Sequence, residues 1–466
     1  MGIKELTASS RIKTLCAYKL SRSTEIELDS TRTPPIGIEQ ELEARTLRKV
    51  SRRLLPFMFV LYVFNILDRL NVNAAALTMP HDLHFTNAQY GFGVGMFFWG
   101  YFIFEVPSNL ILEKVGARRW IARIMLSWGV VASLMMFSWN IASFAAFRFL
   151  LGLTEAGFFP GMVIYMTYWF PAVIRARAAA RFMVATTVGG IIGGPIAAQL
   201  MKLNGTFGLE GWQWLFLMEG IPSVILGFAV LYWLTDKPED ADWLSPDEKQ
   251  WLVEKLKKEK TERMRHYDFT LWGAFKSPKV LHLVLFFFVL ALANSGFGTF
   301  ASVVLKQRSG WSDFKVLWVG TIPGILGAIA MVIASNISDR TRERRKFVSI
   351  GHTVGAMGIW FVAMVKSPYL TLTGQSVQAL GGNAANAPFW ALATSFLSGT
   401  ASAGGIAFIN SVGNLGGFFG PIIMGKIKDK TGGFELGIYL TSATYLAAAI
   451  IASFIRHDKK VEYGEE

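Results

Sequence analysis

Uninterrupted apolar runs of about 20 residues recur between Leu54 and Ile455, and each is long enough to cross a hydrocarbon core about 30 Å thick. In that solvent every backbone N–H and C=O must be satisfied within the segment or in a closed barrel. The runs are continuous rather than alternating, which predicts helices and not barrel strands. Composition agrees: 17% of residues are charged and 52% are hydrophobic, whereas soluble domains carry about 25% charge. The expectation is an all-α polytopic membrane protein.

Candidate spans fall at 54–78, 90–112, 119–139, 141–165, 178–201 and 212–234. Beyond a polar segment at 235–278 they resume at 279–304, 314–337, 347–365, 369–397, 401–424 and 434–455. This predicts about 12 membrane helices in two six-helix bundles, at 51–234 and 279–456, joined by a charged linker. The polar stretch 1–50, with Pro34-Pro35, is expected to be a largely disordered tail, and 457–466 a second, short one. The first apolar run starts only after Arg52-Arg53, which suits an uncleaved first span.

The net charge is +13. The cations gather in alternate short connections, and no nucleic-acid motif accompanies them, so membrane topology explains them and a nucleic-acid partner is not expected. Arg45, Arg48, Lys49, Arg52 and Arg53 precede span 1; Lys114, Arg118 and Arg119 follow span 2; Arg175, Arg177 and Arg181 follow span 4; a run from Arg340 to Lys346 follows span 8. This bias predicts a cell membrane protein with both termini cytoplasmic. Lys306, Arg308 and Lys315, and again Lys426, Lys428 and Lys430, run against it. The lone Cys16 excludes an intrachain disulfide and any cysteine-based metal site, and no cofactor is expected.

Charges inside the spans are the strongest functional signal. Asp68-Arg69 lies in span 1, and Arg148 and Glu155 lie in span 4. A charge at the centre of a membrane helix costs about 2.5–3.5 kcal/mol on insertion scales. Arg148 and Glu155 are seven apart and so share one helix face. At 1.5 Å per residue, Asp68 lies ~21 Å in from one side, level with Arg148, and Glu155 sits closer to the cytoplasm. Asp68 is therefore expected to pair with Arg148. Two arginines balance two carboxylates. An arriving organic anion would upset that balance, and a carboxylate could restore it by taking a proton. A purely structural ion network between spans 1 and 4 is the alternative.

Glu105, one turn below Tyr101 in span 2, fits a gate, a third titrating group or a structural partner for loop arginines. Glu219 in span 6 reads as structural, and His352 in span 9 as a hydrogen-bonding residue. The second half offers neutral hydrogen-bonders instead of mid-membrane carboxylates, among them Asn294, Asn383, Asn410 and Asn414. Such groups can read substrate hydroxyls without changing charge. Trp390 could stack on a ligand or pack against lipid. The glycine clusters at 189–194 and 413–420 fit close helix packing, since no strand precedes them to make a phosphate loop.

Several local patterns together resemble the major facilitator superfamily. The turn Glu113-Lys114-Val115-Gly116-Ala117-Arg118 is a loose match to that family's loop motif, with Glu for Asp and Lys for Arg, and Asp339-Arg340 echoes it in the second half. Asp68-Arg69, Trp99-Gly100-Tyr101, the stretch Phe147 to Ala156, Trp169-Phe170-Pro171 and Asn410 to Gly417 look like the anion:cation symporter branch. Phe104 to Asn109 is most similar to its tartrate, phthalate and allantoate permease side.

The resemblance implies a monomeric secondary transporter in the lipid bilayer, moving a small organic carboxylate with protons as two bundles rock. It implies Asp68 and Glu155 as proton sites with Arg69 coupling them, and Arg148 as the carboxylate anchor. Tyr101 and Asn410 match substrate-contact positions, and Thr186 in span 5 is a further candidate. An anion exchanger, a uniporter or a sensor on the same fold remain open. A membrane enzyme is not expected, for the chain lacks HExxH, a nucleophile elbow and a P-loop.

Overall fold

A computed structural model describes residues 36–265, 277–395 and 400–455. Cys16, Pro34-Pro35, the linker stretch 266–276 and the segment from 456 onward lie outside these residues. The chain divides into two units, 1–45 and 46–466. The described part of the first is the opening of a helix; all that follows concerns the second. Among the described residues there is helix and no strand.

The helices are α1 Ile36–Ala75, α2 Asn87–Val115, α3 Ala117–Leu134, α4 Ile141–Trp169, α5 Ala172–Met201 and α6 Gly211–Trp233. The linker carries α7, Pro246–Arg265. Then come α8 Pro278–Ser309, α9 Asp313–Thr341, α10 Arg344–Met364, α11 Pro368–Ser395, α12 Thr400–Asn414, α13 Gly416–Thr431 and α14 Glu435–Ser453. Ten helices among the described residues are long and apolar enough to cross a membrane. The tenth and eleventh predicted spans miss that criterion for a reason visible in their residues. α11 is interrupted by glycine, Asn and Gln, and span 11 divides at Leu415 into two pieces of 15 and 16 residues.

Three boundaries differ from expectation. α1 begins at Ile36, inside the expected tail, so residues 36–50 are helical. The linker is not a plain tether, because α7 docks on the ends of α1 and α5: Lys49 pairs with Glu248 at 2.9 Å and Arg175 with Glu259 at 3.5 Å. Span 4 is broken after Glu155, where Gly157 turns with φ +89°. Only glycine adopts that conformation without cost, and a Cβ there would also strike Ser108.

We call the membrane face where α1 begins the near face, and the other the far face. In the first half α2 packs along α4 and α3 along α6; in the second, α11 packs along α9 and α10, and α10 along α14. The halves meet where α2 packs along α13 and α5 along α9. At the far face that contact is backbone to backbone. A Cβ on Gly91 would collide with the Pro421 carbonyl, and one on Gly425 with the Asn87 backbone. Small residues thus let α2 and α13 approach where lipid offers no hydrophobic drive for association. Asp429 reinforces the seam by accepting hydrogen bonds from the Asn87 N–H at 3.0 Å, the Asn87 amide at 2.8 Å and the Ala88 N–H at 2.8 Å. It places a carboxylate at the positive end of α2.

Three of the cations that run against the topology rule have local partners. Lys306 pairs with Asp313 at 2.5 Å, Arg308 donates to the Val362 carbonyl at 2.7 Å and to Thr371 at 2.9 Å, and Lys315 lies over Trp311 at 4.1 Å.

Candidate functional site

Asp68 and Arg69 are neighbours about 100° apart on a helix, and they face different surroundings. Arg69 forms an ion pair with Glu155 across the α1–α4 interface. Asn65, one turn earlier on α1, donates to the same Glu155 oxygen at 2.8 Å. The second Glu155 oxygen is buried without a partner. The Arg69 guanidinium also lies over the rings of Tyr101 and Phe97, at 4.9 and 5.3 Å. The other face of the α2–α4 seam brings Arg148 to 5.0 Å from the same Phe97 ring. The two arginines therefore share one aromatic side chain, a cation–π arrangement that gains strength when desolvated.

The expected Asp68–Arg148 pair does not form. Arg148 donates to the Val94 carbonyl at 3.3 Å, while its Nε and Nη1 are buried without partners. Asp68 turns the other way, accepting hydrogen bonds from the Trp128 indole and from Ser223 at 3.0 Å. The reason is rotational: on α1, the Asp68 direction meets α3 and α6, and the Arg69 direction meets α2 and α4. Exposure separates the charges too. The Arg69 side chain is 31% exposed, while Asp68 and Glu155 are 0% and Arg148 3% exposed. Arg69, not Arg148, is the reachable cation.

Glu219 was not anticipated as part of this site. It is buried on α6, beside Asn71 and within electrostatic range of Asp68. The signal was present, since Glu219 lies inside an apolar run, but nothing in the sequence says that α6 lies against the Asp68 side of α1.

Glu105 is buried at the seam between the halves. It accepts a hydrogen bond from Asn410 at 3.0 Å and another from Ser411, both on α12. The Asn410 side-chain oxygen Oδ1 in turn accepts from the Asn414 amide at 3.1 Å. Among the described residues no loop arginine pairs with Glu105, so a structural role beside those arginines is not what the geometry gives.

In the second half, Tyr445 donates to Asn294 and accepts from Gln378 at 2.7 Å. That network spans α8, α14 and α11. Asn383 donates to its own helix, at the Ala379 carbonyl, at 3.0 Å. Trp390 lies edge-on to Phe287 and Phe389, at 5.4 and 5.2 Å, as a packing residue would. Thr186 donates to the Met183 carbonyl at 2.8 Å, again within its own helix. His352 is buried against Phe286 and Tyr445 with neither ring nitrogen hydrogen-bonded, contrary to the expected polar role.

The turn motifs sit at the near face. Gly116, at φ +97°, carries the chain from α2 into α3, and Arg118 meets Asp236 twice, through its backbone N–H at 2.7 Å and its side chain at 3.7 Å. Glu113 and Lys114 are exposed. In the second half Asp339 pairs with Arg344 at 3.6 Å, and Arg340 is exposed. Outside the membrane, burial raises the Glu248 carboxyl, but the Ser245 N–H and Lys49 more than offset this and hold it below the usual carboxylate range.

A bundle of membrane helices around buried, paired charges is the architecture of a membrane transporter. A family model described as Major Facilitator Superfamily matches residues 58–421 and also 318–465. A protein of Agrobacterium vitis named "Putative tartrate transporter" is 44% identical over 414 residues, covering 89% of this chain and 92% of its own. A "Quinolone resistance transporter" of Acinetobacter baumannii is 37% identical over 415 residues, covering 89% and 96%. The solved xylose transporter XylE from E. coli shares the fold with a TM-score of 0.71 at 14% identity, covering 87% of this chain and 98% of that one. The chain belongs to the major facilitator superfamily. It is a multi-pass membrane transport protein and not an enzyme.

Proposed function

We propose that this protein imports a small organic carboxylate, of the hydroxy-acid kind, by proton symport across the cell membrane, with its near face cytoplasmic. The observation that carries the reading is the Arg69–Glu155 pair, in which a partly exposed cation is held by a sealed carboxylate. A substrate carboxylate reaching Arg69 competes with Glu155 for it. As Arg69 is shared, the buried Glu155 is left with less of its ion-pair partner, and its partnerless second oxygen is the place where the accompanying proton would add. Anion and proton then travel together, and the local charge is restored.

Arg148 holds two unspent N–H donors behind Phe97 and draws negative charge inward. Asp68 and Glu219 are two further buried carboxyl groups on the opposite side of α1 and the candidates for another proton. Asn294 and its Tyr445–Gln378 network offer neutral donors and acceptors for substrate hydroxyls. The relative named as a tartrate transporter supports the hydroxy-acid class. In this reading the halves alternate access by opening the α2–α13 seam at the far face and the Glu105–Asn410 contact toward the near face.

The test is uptake of labelled tartrate into proteoliposomes with an acidic outside. Accumulation should follow the pH gradient, and Glu155→Gln should abolish it while leaving tartrate counterflow. Wild-type accumulation by both Glu155→Gln and Asp68→Asn would sink the proton assignment. Counterflow with no response to pH would place the protein among exchangers.

A further inference from the structure

The basic residues at the near ends of α1 and α5 sort into two sets. Lys49 pairs with Glu248, Arg53 lies over Trp233 and Trp243 at 5.3 and 5.1 Å, and Arg175 pairs with Glu259. The second set is Arg48 and Arg52 on α1 with Arg177 and Arg181 on α5. Residues four apart share a helix face, and here the two faces line one cavity of ≈510 Å³. Among the described residues no carboxylate lines it. Among the described residues none of these guanidinium groups has an ion-pair partner.

Like charges so gathered repel one another and raise the local concentration of anions. On the far face Lys306, Arg308, Lys315 and Lys428 are tied to local partners, while Lys426 and Lys430 are exposed. The near-face cleft gathers four cations on one cavity with no acidic partner among the described residues. Its composition says which anion. Leu47, Leu55, Ile174 and Ala178 line the same cavity as the four arginines, and Leu55 and Ala178 are buried. A soluble anion would use only the arginines. A lipid uses both parts, its phosphate against the arginines and its glycerol and acyl carbons against the apolar residues interleaved with them. Both flanking helices enter the bilayer here, so the cleft opens at headgroup level.

We propose that the cleft between α1 and α5 is a binding site for the headgroup of an anionic phospholipid in the near leaflet. Because α7 pairs with Lys49 and Arg175 on the same two helix ends, a bound lipid would neutralise the cations that α7 leaves unmatched.

The experiment is native mass spectrometry of the full chain titrated with phosphatidylglycerol. The first lipid should bind tightly, phosphatidylcholine should not match it, and inorganic phosphate should not displace it. R48Q/R52Q/R177Q/R181Q should weaken that binding by about 10-fold or more, whereas K49Q/R53Q should not. The all-lysine version R48K/R52K/R177K/R181K retains the charge and should retain most of the binding, which controls for misfolding. Undiminished lipid binding by the glutamine variant overturns the proposal. So does displacement by inorganic phosphate, which would make this a soluble-anion site, or a lysine variant binding no better than the glutamine one.

Discussion

Glu105 on α2 accepts a hydrogen bond from the Asn410 amide on α12 at 3.0 Å, across 305 residues of sequence. The contact joins the two halves and removes a carboxylate from contact with water. Ser411 donates to the other Glu105 oxygen, so both oxygens depend on α12. Glu105 is thus placed to register whether the halves are together.

Replacing Asn410 with Ala strips the donor from Glu105 Oε1 and leaves that buried oxygen unsatisfied, while Ser411 still donates to Oε2. Such a loss costs about 1–3 kcal/mol. The expected outcome is a lower unfolding midpoint in detergent for Asn410→Ala, with a smaller drop for Asn410→Ser. If Asn410→Ala unfolds like wild type, the inter-half bond contributes nothing to the folded state.

The architecture and the charged positions were legible in the sequence because a membrane helix satisfies its backbone alone. Each span can be recognised without its neighbours, and ionisable residues stand out against apolar runs. Partner choice was not legible. Asp68 and Arg69 are adjacent, yet one faces Trp128 and Ser223 and the other Glu155. Which of the two meets α4 depends on the rotation of α1 about its axis, and no depth argument fixes that. The burial of Glu219 beside the Asp68 side of α1 is not legible for the same reason: it depends on α6 lying against α1. The break after Glu155 was signalled by Gly157, but an apolar run through a glycine reads as one continuous helix.

At the far face Asp429 caps α2 from the opposite half through three hydrogen bonds. Bonds to a charged group contribute about 1.5–3 kcal/mol each at most, so Asp429→Ala should favour separation of the far-face seam. In a Cys16→Ser background, spin labels at Gln89 and Glu435 should give a longer and broader distance distribution in Asp429→Ala than in the parent. An unchanged distribution would mean that glycine packing alone holds the seam.

The docking of α7 should depend on pH through Glu248. Its carboxyl is held below the usual range in the folded protein. Such a group contributes stability above its unfolded pKa, about 4.3, and the contribution is lost as pH falls through the lower folded value. Lys49 is 44% exposed, so the pair itself contributes at most about 1 kcal/mol. Wild type should be more stable than Glu248→Gln at neutral pH, and the gap should close below pH 4. A gap that is independent of pH would assign the effect to packing.

The Arg69–Glu155 pair separates structural from transport roles. Arg69→Ala leaves Glu155 as a buried carboxylate without its cation, and breaking a buried pair from one side costs about 3–5 kcal/mol. Glu155→Gln should cost less, because Asn65 can still donate to the amide oxygen and Arg69 keeps its aromatic contacts and partial exposure. Removing both charges as Arg69→Met with Glu155→Leu takes away the desolvation cost on both sides, and such replacements are often neutral in stability. The double variant should therefore unfold near the wild-type midpoint in detergent, well above Arg69→Ala. It should nonetheless neither accumulate tartrate nor exchange it, because both the cation that receives the anion and the acid that follows it are gone. Recovery of stability together with transport would show the pair to be a structural strut, and the substrate path would then have to run through Arg148.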